Sequence, residues 1–234
     1  MSFPGADGTI VVVATRISTR RTYGDGCSSA HALDLVGERW ALLIVRDLLF
    51  GPKRFSDLQA GLPQGSPNVL TQRLRELEDA GIVRRRRLPP PASANVYELT
   101  EWGAQLEPVL MGLQRWGAAS PSFTQGLPVG CDSAMLALKN AFDPASATDL
   151  HIVAEVRFEQ ATFRLEVDAG TIDIGRGSVD HPDLVLDTDP GTLEELAFAG
   201  LTVARAQRAG RLTVTGDAAL ATRLLSVFPA PGPA

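Results

Sequence analysis

Apolar positions recur three and four residues apart in the first half of the chain and then alternate in pairs through much of the second. From Ser29 onward Leu33, Val36, Trp40, Leu43, Ile44 and Leu48 keep helical spacing until Gly51-Pro52, which predicts one long amphipathic helix. Phe55, Leu58 and Leu62 mark a shorter helix closed by Pro63. A third opens at Ser66, a capping residue. Pro67 takes the first helical position, where a missing N–H costs nothing, and Gly81 supplies a left-handed stop.

Within that third helix Leu70, Leu74 and Leu77 share one face and predict the core side. At about 100° per residue, Asn68, Gln72 and Arg75 point away, with Thr71 and Glu76 at the shoulders. Asn and Gln can pair bidentately with adenine and Arg with guanine, so this face can read base edges. The following "IVRRRRLPPPASANVYELT" predicts two strands and a proline-rich loop. Arg84, Arg85, Arg86 and Arg87 alternate faces there, and Leu88, Val96, Tyr97 and Leu99 are the apolar partners. Two short helices and then a hairpin make the order of a winged helix-turn-helix, with the hairpin as wing.

Taken singly, a polar helix face and a run of charge are solvated surface. Together, Arg73, Arg75 and the four-arginine run lie close along the chain to a helix that can read bases, and such residues neutralise phosphates. The residues expected at DNA are therefore Ser66, Asn68, Thr71, Gln72, Arg73, Arg75 and Arg84, Arg85, Arg86 and Arg87. A further helix over Thr100 to Trp116 carries Leu106, Val109, Leu110, Leu113 and Trp116 on one side, more apolar surface than a small core needs. Pro108 either bends it or marks its true start.

Past residue 131 a helix, "DSAMLALKNAF", precedes three alternating segments, "HIVAEVRF", "ATFRLEVDAG" and "TIDIGRG", and then "DLVLDTD". Asp189 caps one helix, "TVARAQRAG" forms another, "RLTVTG" returns to strand, and Asp217 caps the last helix. The predicted class is α+β throughout, a winged helix-turn-helix followed by a small antiparallel sheet packed with helices. This half lacks a nucleophile elbow, a phosphate-binding glycine loop and metal-ligand spacing, so neither an enzyme nor a cofactor or metal site is expected.

Charge divides the chain in the same place. Residues 1–120 carry a net +2 and residues 121–234 a net −7, together the −5 of the whole. Gly, Ser and Pro interrupt every period over 117–130. The expected organisation is a loose leader over 1–22, a DNA-binding unit over 23–118, a linker over 119–130, an α+β unit over 131–229 and a tail over 230–234. Cys27 and Cys131 are too few for a disulfide scaffold, the three histidines are scattered, and no run of about 18 apolar residues exists to cross a bilayer. A cytoplasmic protein without membrane partners is expected.

The stretches "YGDGCSSAHALDLVGERWALLIVRDLLFGPKRFSDL", "GSPNVLTQRLRELEDAGIVRRR" and "VYELTEWGAQLEPVL" closely resemble the HxlR family of winged-helix transcriptional regulators, a branch near the MarR type. The resemblance implies a homodimer on double-stranded DNA, with Ser66 to Ala80 in the major groove. It places dimer contacts near Cys27 to Ala32 and in the helix from Thr100. Cys27 sits where several relatives carry a cysteine that senses oxidants, and a position just ahead of a helix favours the thiolate.

The second half, through "HPDLVLDTDPGTLEELAFAG" and "AQRAGRLTVTGDAALATRLLSVF", resembles sterol-carrier-protein-like domains. That resemblance implies a small hydrophobic ligand lined by Phe142, Phe158, Phe163, Leu196, Phe198, Leu201, Leu224 and Phe228, although any of these residues can equally be core. The rival class is a lipid carrier or enzyme-accessory protein whose winged helix does not bind DNA.

Overall fold

The computed structural model describes residues 22–90, 93–124 and 126–229. The expected leader, apart from Thr22, and the expected tail lie outside the described residues. The first apolar run forms two helices rather than one, α1 (Ser28–Val36) and α2 (Ala41–Leu48). The Gly37 N–H closes α1 on the Leu33 carbonyl at 2.8 Å, and the chain turns through Trp40 at φ +78° before α2 begins. Glycine is a poor helix residue, so the break falls where helical propensity is weakest. The apolar phase survives the turn, which is why the pattern read as continuous.

α3 (Phe55–Gly61) and α4 (Pro67–Asp79) follow as expected. Ser66 Oγ accepts from the Val69 N–H at 3.4 Å. At the other end Gly81, at φ +72°, lets its own N–H reach the Glu78 carbonyl and the Ile82 N–H reach that of Leu77. That is the Schellman closure, which only a residue at ease in the left-handed region allows cheaply. Leu70, Leu74 and Leu77 are fully buried.

β1 (Val83–Arg87) pairs antiparallel with β2 (Asn95–Leu99), placing Arg84 opposite Glu98 and Arg85 opposite Tyr97. Lys53 adds a one-residue third strand, exchanging both backbone hydrogen bonds with Tyr97 at 2.8 and 3.0 Å. Two helices replace the expected Thr100-to-Trp116 element. α5 (Glu101–Ala104) is capped by Thr100, and α6 (Glu107–Ala118) starts with Pro108 in its first turn. Proline marks a helix start here.

In the second half α7 (Cys131–Ala141) leads into β3 (His151–Arg157), β4 (Thr162–Asp168), β5 (Thr171–Arg176) and β6 (Leu184–Thr188). α8 (Pro190–Phe198), α9 (Val203–Arg208), β7 (Leu212–Gly216) and α10 (Ala218–Leu225) complete it. The Asp189, Thr202 and Asp217 side chains accept from the Thr192, Arg205 and Ala219 N–H groups. The sheet order is β5-β4-β3-β6-β7. Three of its pairings are antiparallel, while β3 and β6 run parallel because β6 returns beside the strand that began the sheet. Ala154, Val156, Phe163, Leu165 and Leu186 are buried on one face, and Arg164, Glu166 and Asp173 form an ion-paired row on the other.

One continuous apolar core runs through both halves. Phe50, just beyond α2, meets Phe163 of β4 edge-on at 5.8 Å, and Phe158 meets Phe163 at 5.9 Å. The Arg176 N–H donates to the Phe50 carbonyl at 2.9 Å, and its guanidinium lies 4.6 Å over the Phe163 ring. Of the eight residues named for a ligand tunnel, Phe158, Phe163, Leu196, Leu224 and Phe228 are buried in this core, and Phe142, Phe198 and Leu201 are half-buried against it. They are packed as core side chains.

Candidate DNA-binding interface

Burying three leucines of α4 forces its opposite face outward. Asn68, Gln72 and Arg75 are exposed there, and Arg75 has no ion pair or hydrogen bond among the described residues. Gln72 Nε2 donates to Glu76 Oε1 at 2.7 Å, which leaves its carbonyl oxygen and one N–H for a base edge. Ser66 and Thr71 are occupied by the helix itself, since the Thr71 hydroxyl donates to the Pro67 carbonyl at 2.7 Å. Arg73 differs from its neighbours: its guanidinium pairs with Glu76 and lies 3.6 Å from Glu38, with the side chain mostly buried. It braces α4 against the turn between α1 and α2.

The arginine run divides in the same way. All four arginines of β1 are exposed, but Arg84 and Arg86 project to the side of Glu98, whose Oε1 and Oε2 accept from their Nε atoms at 2.7 and 2.9 Å. Glu98 is itself buried. Burial alone would raise its pKa, yet the two guanidinium groups overcome that and hold the carboxyl below the usual carboxylate range. Arg85 and Arg87, on the other side of the strand, have no ion pair among the described residues. Glu98 was not singled out in the sequence; the signal that marks it is its place in β2 opposite the run.

Cys27 is exposed at the N-cap of α1. The Ser29 N–H, then that of Ala30, holds its thiol below the ordinary value. Cys131 is the opposite case, pushed up by burial and by the charge of Asp132. Trp102, Val109, Leu113, Trp116 and Leu33 leave a large apolar surface over α1, α5 and α6. A cavity of about 250 Å³ opens between these helices, lined by Ala32, Leu35, Val36, Ile82, Trp102, Gln105 and Leu106.

Comparison with known proteins divides the chain similarly. The profile of the HxlR-like helix-turn-helix family matches residues 35–122, and that of the alkyl sulfatase C-terminal family matches residues 119–234. The HTH-type transcriptional regulator YvaP of Bacillus subtilis is 42% identical over 94 residues, 39% of this chain and 87% of that protein. The HTH-type transcriptional regulator YodB of the same organism is 41% identical over 85 residues, covering 36% of this chain and 76% of YodB. The solved structure of reduced YodB is 37% identical and covers 41% of this chain and 95% of its own, with a TM-score of 0.38.

Proposed function

The chain belongs to the HxlR-like helix-turn-helix family of DNA-binding transcriptional regulators, and from that premise we propose that it binds a palindromic operator as a homodimer. The carrying observation is the exposed Asn68, Gln72 and Arg75 face of α4, together with Arg85 and Arg87 of the wing, which are exposed and unpaired among the described residues. In this reading α4 enters the major groove, where the amides and guanidinium meet base edges, while the wing arginines meet phosphates. The exposed apolar surface of α1, α5 and α6 is covered by the second copy. Operator binding places the protein in the cytoplasm.

We assign residues 23–118 to DNA binding, 119–130 to the connection and 131–229 to an accessory unit without catalysis. Although the matched family of the accessory unit is that of alkyl sulfatase C-terminal segments, the sterol-carrier-like reading gives it a small hydrophobic ligand. Such a ligand enters beside the half-buried Phe142, Phe198 and Leu201 and requires the core to repack. The exposed, acidified Cys27 supports control by thiol oxidation as a second input.

Selection of bound sequences from random DNA by the full-length protein tests the central reading. A two-fold symmetric motif is expected; recovery of no enriched sequence would sink it.

A further inference from the structure

α7 touches both parts of the DNA-binding half that matter for geometry. Near its first turn Asp132, buried, accepts from the Lys53 ammonium and from the Arg176 guanidinium of β5. Lys53 is buried as well, 3.6 Å from Asp47, and its backbone is the third strand of the wing through Tyr97. Gly61 packs directly against this cluster, since a Cβ there would stand 2.4 Å from Asp47 Oδ2.

At the far end of α7, about 12 Å along its axis, Asn140 Nδ2 donates to the Met111 carbonyl and to Gln114 Oε1, both at 3.0 Å. Asn140 Oδ1 accepts from Arg115, and Lys139 pairs with Glu107. Glu107, Met111, Gln114 and Arg115 thus face α7. At 100° per residue they centre about 180° around α6 from Val109, Leu113 and Trp116, the exposed apolar stripe. One face of α6 is gripped by the second half and the opposite face is left for the second copy.

We propose that α7 is a strut that fixes the wing relative to the dimer helix α6, with Asp132, Lys139 and Asn140 as positioning residues that set the separation of the two reading heads on DNA. The proposal rests on the homodimer reading. Without the strut each head still reads its half-site, but the pair tolerates the wrong spacing.

The test uses full-length protein and duplexes carrying the selected half-site pair at its native spacing or one base pair longer or shorter. The native protein is expected to prefer its own spacing by about fivefold or more. The double variant Lys139→Ala/Asn140→Ala, whose side chains are only half-buried, is expected to stay folded and dimeric by circular dichroism and sedimentation. It should keep single half-site binding and fall below about twofold spacing preference. Asp132→Asn should do the same from the wing end, and Lys139→Arg, which keeps the cation facing Glu107, should keep the native profile. An unchanged spacing profile in a dimeric Lys139→Ala/Asn140→Ala protein overturns the strut and leaves the dimer standing. Loss of half-site binding as well overturns it in favour of a purely structural role. A native protein that sediments as a monomer on single half-sites overturns the dimer reading and the strut with it.

Discussion

Glu98 Oε1 accepts from Arg84 Nε at 2.7 Å, directly across the hairpin from it, so a buried carboxylate on β2 consumes charge that the arginine run presents to solvent. The two sides of β1 therefore differ in chemistry. Arg85→Ala with Arg87→Ala is expected to weaken binding to every DNA sequence and to reduce the salt slope by about two per copy, about four for the dimer. Arg84→Ala with Arg86→Ala should instead lower stability by about 1–3 kcal/mol, because the buried Glu98 carboxylate then loses both of its partners. Titrations over a range of salt concentrations, alongside urea melts, check both; equal salt slopes for the two pairs would refute the division.

The same logic separates Arg75 from Arg73. Gln72→Ala with Arg75→Ala should leave the protein folded and cost about 1–3 kcal/mol of discrimination at each base contacted. Arg73→Ala should cost about 1–2 kcal/mol of stability by freeing Glu76 from a mostly buried pair. Binding to the selected operator and to single-base mismatches, measured beside melting, decides it. A folded Gln72→Ala/Arg75→Ala protein with unaltered mismatch penalties would displace α4 from the groove.

Features whose signals are local in the chain were legible. Ser66, Pro67, the leucine triad and Gly81 specify α4 within 16 residues, and the structure returns it with the same boundaries and outward face. The single long helix failed because Leu33, Val36, Trp40 and Ile44 keep their phase across a turn that only Gly37 and the strained Trp40 betray. Pro108 is ambiguous in the sequence because the separate helix before it, opened by Thr100 accepting from the Gly103 N–H and ending at Ala104, carries no long apolar period. The division of the arginines depends on strand register, and the Lys53–Asp132 pair joins residues 79 apart. No periodicity announces such a pairing.

Acid sensitivity should include a contribution from Glu155. This carboxylate is buried in β3 and accepts from the Val179 N–H at 2.7 Å; that bond, against the opposing effect of burial and with help from Arg157, holds its pKa below the ordinary value. A depressed folded pKa contributes stability that is complete above the unfolded value, about 4.3, and is lost as pH falls through the folded one. Glu155→Gln should therefore be less stable by about 1–3 kcal/mol at neutral pH, with the gap closing below about pH 4.3. A gap that stays constant with pH would refute the assignment.

The two thiols should react in order. Cys27 is exposed with its pKa lowered by the Ser29 and Ala30 N–H groups, while that of Cys131 is raised by burial. Because the thiolate is the nucleophile, pulsed iodoacetamide should modify Cys27 first, with a pH midpoint below that of an ordinary cysteine thiol. Equal labelling rates in the folded protein, read by peptide mapping, would remove the basis for a thiol input.

The shared core makes a prediction that a pair of tethered domains would not. All three tryptophans, Trp40, Trp102 and Trp116, lie in the first half, so their fluorescence reports that half while far-ultraviolet circular dichroism reports both. In the native protein the two unfolding curves should coincide, because Phe50 is packed against Phe163 and neither half can open without exposing the other. Phe50→Ala removes the ring from that contact and should cost about 3–5 kcal/mol. The loss falls on the junction rather than on either half's own core, so the two curves should also separate. Curves that still coincide in Phe50→Ala would mean that the remaining junction, the Asp132 ion cluster and the Asn140 contacts on α6, holds the halves together without the aromatic pair.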